Sequence, residues 1–169
     1  MYAALSLILL YSSSIQAGIP PEKFQYIVGS FVKHADMALK QPYQFSPYHK
    51  SIREPFDYYA WGNDFMRTLI IEEQSQLIGV EQFQEIDTLT KQGDNIWILS
   101  NHQTEADPQV ISILLEKHGL SHLAEKMIFI AGHKVTNDPV AIPFSMVIFK
   151  HHLLFFFCMF LKNIIYYYY

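Results

Sequence analysis

Residues 94–131 read DNIWILSNHQTEADPQVISILLEKHGLSHLAEKMIFIA, and the alternation of apolar and polar runs within them decides the fold. Asp94-Asn95 is a turn signal, and Ile96-Trp97-Ile98-Leu99 is a continuous apolar run with the composition and length of a buried strand. The run stops at a polar loop, Asn101 to Asp107. Pro108 suits the first turn of a helix, on which Val110, Ile111, Leu114 and Leu115 line one face and which Gly119 can end. Met127 to Ala131 reads as a second buried strand. Strand, loop, helix, strand is a βαβ unit, which predicts an α/β fold with a mixed, largely parallel sheet and helices packed on it. Ligand chemistry in such sheets sits where strands end and helices begin, and the polar loop falls there.

Working outward, Pro20 and Pro21 open a helix on which Phe24, Ile27, Val28, Phe31, Val32, Ala35 and Leu39 recur at helical spacing. Its polar face mixes Glu22, Gln25, Lys33 and Asp36, so packing against another helix is expected rather than binding to a membrane surface. Before it, Ala3 to Tyr11 is a short apolar run with no Lys or Arg ahead of it, which favours a core helix over a signal peptide. Pro42, Pro47 and Pro55 punctuate an aromatic and polar connection. Pro55 can open a helix through Tyr59, Ala60, Asn63 and Arg67, while Phe83, Ile86 and Leu89 set the buried side of another that Gly93 can stop. The expected organisation is a helical N-terminal region, 1–44, a partial α/β domain, 45–146, and an atypical apolar tail, 147–169.

The tail breaks the composition of the rest. Val147 to Tyr169 holds 18 hydrophobic residues among 23, two Lys and no acidic residue, although the whole chain carries 16 Asp and Glu. Its longest apolar run, Leu153 to Leu161, is nine residues, whereas a membrane span needs about 20. Every residue type in the tail can be written with AT-rich codons and Val147 requires a codon beginning GT, as translation into an unspliced AT-rich intron would give. With 169 residues, half of them hydrophobic and 17% charged, the chain fits one domain with a small appendage and is not disordered by composition. A net charge of −4 is the wrong sign for a nucleic-acid partner. The one cysteine, Cys158, permits neither an internal disulfide nor a Cys-based zinc site.

The polar loop places His102 and Asp107 five residues apart. A neutral imidazole can take a proton from a substrate hydroxyl, and a carboxylate can fix its tautomer and stabilise the imidazolium. Spacing alone leaves a plainer reading open, in which Asp107 is an N-cap before Pro108 and His102 is a solvated loop residue. Metal binding has less support: His102, Glu105 and Asp107 offer no helical i, i+4 ligand pair, and His118 and His122 straddle Gly119. No metal or cofactor is expected.

The wider string is more specific than the pair. Ser100 to Glu116, SNHQTEADPQVISILLE, closely resembles the first block of the soluble plastid glycerol-3-phosphate acyltransferases of plants and algae. Phe45 to Tyr59, FSPYHKSIREPFDYY, and MIFIAGHKVTNDPVAIPFSM, ending at Met146, look like further segments of that family in the same order. The resemblance implies acyl transfer from acyl-acyl carrier protein, or acyl-CoA, to the sn-1 hydroxyl of glycerol 3-phosphate, giving lysophosphatidic acid in the plastid stroma. It implies His102 as the base and Asp107 as its orienting partner, no prosthetic group, and no transmembrane span, with peripheral membrane contact left open.

Departures from the family are specific. His133 stands where the family usually carries an acidic residue, and the likeness ends at Met146, ahead of the basic residues that hold the phosphate. Lys150, His151 and His152 come too soon after Pro143-Phe144-Ser145 to take that role. The 169-residue chain is therefore expected to be an inactive fragment of an enzyme. Two other readings are a non-catalytic short form that binds carrier protein or a partner, and a protein attached to a membrane by its tail.

Overall fold

The computed structural model describes residues 11–16, 18–46, 48–101, 103–104, 106–132, 134–147, 149–152 and 164–166. The expectations made for residues 1–10, for His102, Glu105 and His133, and for the tail run containing Cys158 lie outside the described residues.

Residues 11–16 are helical and lead into α1 (Pro21–Lys40), which starts on proline and carries Glu22 in its first turn and Lys40 in its last, each charge opposing the helix dipole. Its buried stripe is Ile27, His34 and Ala38, with Phe31 packed beside them, whereas Val32 and Leu39 are 58% and 67% exposed. The apolar face expected from periodicity is thus rotated, because an aromatic group selects the stripe. The His34 ring lies 4.4 Å from Phe56 and 4.9 Å from Tyr58, and its Nδ1 is 2.7 Å from the Ser30 carbonyl.

After β1 (Tyr48–His49), α2 (Tyr58–Arg67) begins where the Asp57 carboxylate accepts the Ala60 N–H at 3.0 Å, three residues beyond the proline expected to open it. Trp61 stacks on Phe144 at 5.3 Å and donates its indole N–H to the Ile27 carbonyl, which ties α2 to α1. α3 (Val80–Lys91) buries Ile86 and ends at Gly93, whose φ of 94° lets the Asp94 N–H bond back to the Leu89 carbonyl. β2 (Trp97–Leu99) leads through the polar loop to α4 (Asp107–Lys117), which Gly119 closes in the same way at φ 75°. Then come α5 (Ser121–Ala124), β3 (Ile128–Ala131), α6 (Lys134–Asn137), α7 (Ile142–Ser145), β4 (Phe149–His152) and β5 (Ile164–Tyr166).

The chain has the expected mixture of helices and strands, but its strands form two small sheets. β4 lies between β1, antiparallel with His49 opposite Lys150, and β3, parallel with Ile128 opposite Phe149. β2 pairs in parallel with β5. The two strands of the expected βαβ unit therefore share no sheet among the described residues. β4 and β5, both from the apolar tail, are the partners that β3 and β2 take instead.

Two apolar clusters hold the helices. One joins Ile27 of α1, Trp61 and Phe65 of α2, Ile113 of α4, Ile142 of α7 and Val147; the other gathers Ile86, Leu115, Leu120 and Leu123. α4 belongs to both clusters through Ile113 and Leu115, each 0% exposed. The strands were expected to be buried on both faces, yet Trp97, Leu99, Ile128 and Ile130 are 43 to 50% exposed while Ile98 and Phe129 pack inward. The described helices cover one strand face only, and a strand so covered buries alternate residues.

Candidate active site

β2 and α4 set the two ends of the loop from Asn101 to Ala106. Asp107, the first residue of α4, turns its carboxylate back toward that loop: Oδ2 accepts the N–H of Gln103 at 2.9 Å and of Thr104 at 3.3 Å. The Asp107 N–H donates to the Thr104 carbonyl at 3.0 Å, and the Ala106 N–H donates to Thr104 Oγ1. Gln103, Thr104 and Ala106 are thereby held against the start of the helix. His102 and Glu105 lie within it and outside the described residues.

Asp107 is thus not the simple N-cap that the following proline implied. The cap position falls on Ala106, which makes no side-chain cap bond, and these two carboxylate bonds run to amides three and four residues earlier. Turn formation at Thr104 brings residue 107 into the first helical turn and leaves the loop amides within reach of its carboxylate.

At the other end of α4 stands a polar cluster whose pairing no sequence signal revealed. The Glu116 carboxylate receives the Tyr59 hydroxyl at 2.9 Å and Asn63 Nδ2 at 3.0 Å on Oε1, and Arg67 Nη2 at 2.6 Å on Oε2. Tyr59, Asn63 and Arg67 follow one another at i, i+4 and i+8 along one side of α2, so three turns present their donors to one acceptor. Arg67 also bonds Glu72 through Nε at 3.1 Å and Asp64 through Nη1 at 3.3 Å. Lys117 donates to the carbonyls of Glu72 and Ser75.

Burial and the adjacent Glu116 carboxylate push the Tyr59 phenol up to about 12. For Arg67 burial opposes the charge, but the carboxylates of Glu116, Glu72 and Asp64 outweigh it and raise the pKa. Within the same helix pair, Asn63 Oδ1 and Gln109 Oε1 are buried with no hydrogen-bond partner among the described residues.

Among the described residues no three His, Cys, Asp or Glu side chains gather as a metal site, and no helix is long and apolar enough to cross a membrane. Lys150, His151 and His152 lie on β4, the central strand of the three-stranded sheet.

Comparison with known proteins bears on the reaction. The sequence profile of the acyltransferase family matches residues 77–158. The chain is 50% identical over 108 residues to the chloroplastic glycerol-3-phosphate acyltransferase of Spinacia oleracea, covering 64% of this chain and 23% of that protein. It is 39% identical over 139 residues to a Cucurbita moschata counterpart, covering 80% of this chain and 31% of that protein. A third counterpart, from Arabidopsis thaliana, is 44% identical over 110 residues, covering 65% of this chain and 24% of that protein. The chain therefore spans between 23% and 31% of the length of these curated relatives.

Proposed function

From the match of residues 77–158 to the acyltransferase family and the similarity to chloroplastic glycerol-3-phosphate acyltransferases, we propose that residues 101–107 are the proton-transfer element of that reaction. His102 takes the proton of the sn-1 hydroxyl of glycerol 3-phosphate as the oxygen attacks the carbonyl of an acyl thioester. The tetrahedral adduct collapses, the carbon–sulfur bond breaks, and the imidazolium returns the proton to the departing thiolate. Products are 1-acyl-glycerol 3-phosphate and the free thiol of the carrier, acyl carrier protein or CoA. Asp107 orients the imidazole and stabilises its charged form without taking the proton.

The observation that carries this reading is the direction of the Asp107 carboxylate, which faces the loop containing His102 rather than the helix it begins. The plastid stroma as location, a mixed and largely parallel sheet in the complete domain, and a helical region over 1–44 belong to the same reading. So does peripheral rather than spanning membrane contact, whereas the tail, 147–169, expected to be foreign to the family, is entered by the family match as far as residue 158.

The test is an acyl-transfer assay with acyl-acyl carrier protein and glycerol 3-phosphate, run on the 169-residue chain and on the chain completed with the C-terminal length of a relative. The completed protein should turn over and lose about a hundredfold or more in rate on His102→Ala, the usual contribution of a general base. Unchanged turnover in that variant would sink the assignment. The chain alone should be inactive, because a base without a positioned hydroxyl contributes little. A second reading, in which Asp107 serves only to hold the loop, is favoured by its two amide bonds, and Asp107→Asn separates the two.

A further inference from the structure

α4 carries Asp107 in its first turn and Glu116 in its last, nine residues or about 13 Å further along the axis. Between them it buries the apolar Ile113 and Leu115 together with the polar Gln109 and Ser112, whose hydroxyl bonds within the helix to the Pro108 carbonyl. Apolar contact is non-directional and tolerates small sliding and rotation of a helix, whereas hydrogen bonds with defined donors do not. Glu116 supplies the directional contact: three donors from three successive turns of α2 meet its two oxygens at 2.6 to 3.0 Å. The Glu116 and Arg67 side chains are only 22% and 25% exposed, which shields the pair from the screening that makes surface ion pairs weak. Glu72 and Asp64 hold Arg67 from its other nitrogens, so the donor itself is fixed.

We propose that Glu116 is a positioning residue for the candidate active site: by locking α4 to Tyr59, Asn63 and Arg67 of α2, it fixes where Asp107 holds the loop of residues 101–106. The loop is tethered at the end of β2 and at the start of α4, so displacement of the helix changes the span the loop must cover. The bonds from Asp107 to Gln103 and Thr104 then open more often. A half-buried ionic cluster used in this way secures one arrangement more than it adds stability. The proposal rests on the acyl-transfer reading for its consequence, and its mechanical half stands without it.

Hydrogen exchange on the full 169-residue chain reads the mechanical half, and the acyl-transfer assay on the completed chain reads the consequence. In Glu116→Gln and in Arg67→Met, the Gln103 and Thr104 amides should exchange about tenfold faster while the Leu114 and Leu115 amides stay protected. Asp36→Asn, which removes only the exposed ion pair with Lys40 on α1, should leave all four near their original rates. In the completed chain, the first two variants should lower kcat about tenfold with KM for both substrates held, since an interaction realised only at the reacting centre is weakened. Unaltered exchange at Gln103 and Thr104 overturns the proposal whatever the activity. Loss of protection throughout α4 also overturns it, in favour of a folding role. Loosened loop amides with full kcat would overturn the positioning role and leave the assignment of His102 intact, because that assignment is decided by His102→Ala.

Discussion

Asp107 and Tyr59 show how differently single side chains announce themselves. The place of Asp107, after a strand and before a proline, made it legible in the sequence as a candidate, although its backward bonds to Gln103 and Thr104 were not. Substituting Asp107→Asn keeps an acceptor oxygen for the loop amides, so the thermal midpoint should move little, by less than about 1 kcal/mol in stability. Turnover of the completed enzyme should nonetheless fall by two orders of magnitude or more, because the imidazolium loses its counter-charge. Steady-state assay beside thermal unfolding checks both, and unaltered turnover would reduce Asp107 to a loop anchor. Tyr59 gave no such warning, since its partner Glu116 is remote in sequence and only folding brings them together. Its folded phenol is raised from 10.0 to about 12 by burial and by Glu116, so its contribution to stability is complete below pH 10 and lost as pH climbs toward 12. Alkaline unfolding followed by circular dichroism should therefore show a step in that window that Tyr59→Phe removes.

Among the elements, helices were the most legible part of the chain. Proline and glycine punctuation marked the ends of α3 and α4, and Ile86, Leu114 and Leu115 were on the faces that periodicity chose, whereas Gln109, Ser112 and Ile113 of α4 are buried outside them. Strand pairing was not legible, because a short apolar run does not specify which edge it meets; β2 and β3 found β5 and β4 rather than each other. The stripe of α1 was misjudged because His34, polar by type, enters the core among Phe56, Tyr58 and Trp61. Two helical glycines make contrasting predictions. A Cβ on Gly62 would lie 2.8 Å from Val147 Cγ1, whereas one on Gly29 would meet nothing within 4 Å. Gly29→Ala should stabilise by about 0.5–1 kcal/mol from helix propensity alone. Gly62→Ala should instead destabilise by about 1–3 kcal/mol, since overpacking against a fully buried valine outweighs the propensity gain. Urea midpoints of the two variants should move in opposite directions, and a common direction would contradict the close approach of α2 to Val147.

For the molecule as a whole, the uncovered strand face dominates behaviour in solution. Trp97, Leu99, Ile128 and Ile130 leave large apolar side chains exposed on short strands, a surface prone to self-association. Replacing two of them, Trp97→Thr with Ile128→Thr, puts strand-favouring β-branched residues at both positions and should shift a size-exclusion profile toward smaller species. An unchanged profile would place the sticky surface elsewhere. The sequence has only two tryptophans, and the fold gives them opposite surroundings. Trp61 is 4% exposed and stacked on Phe144 where α1, α2 and α7 meet, while Trp97 is 43% exposed on β2. Their emission should therefore separate by colour and by access to an aqueous quencher: the blue, protected component reports whether the helical core is assembled, and the red, quenchable one reports whether anything has come to lie against β2.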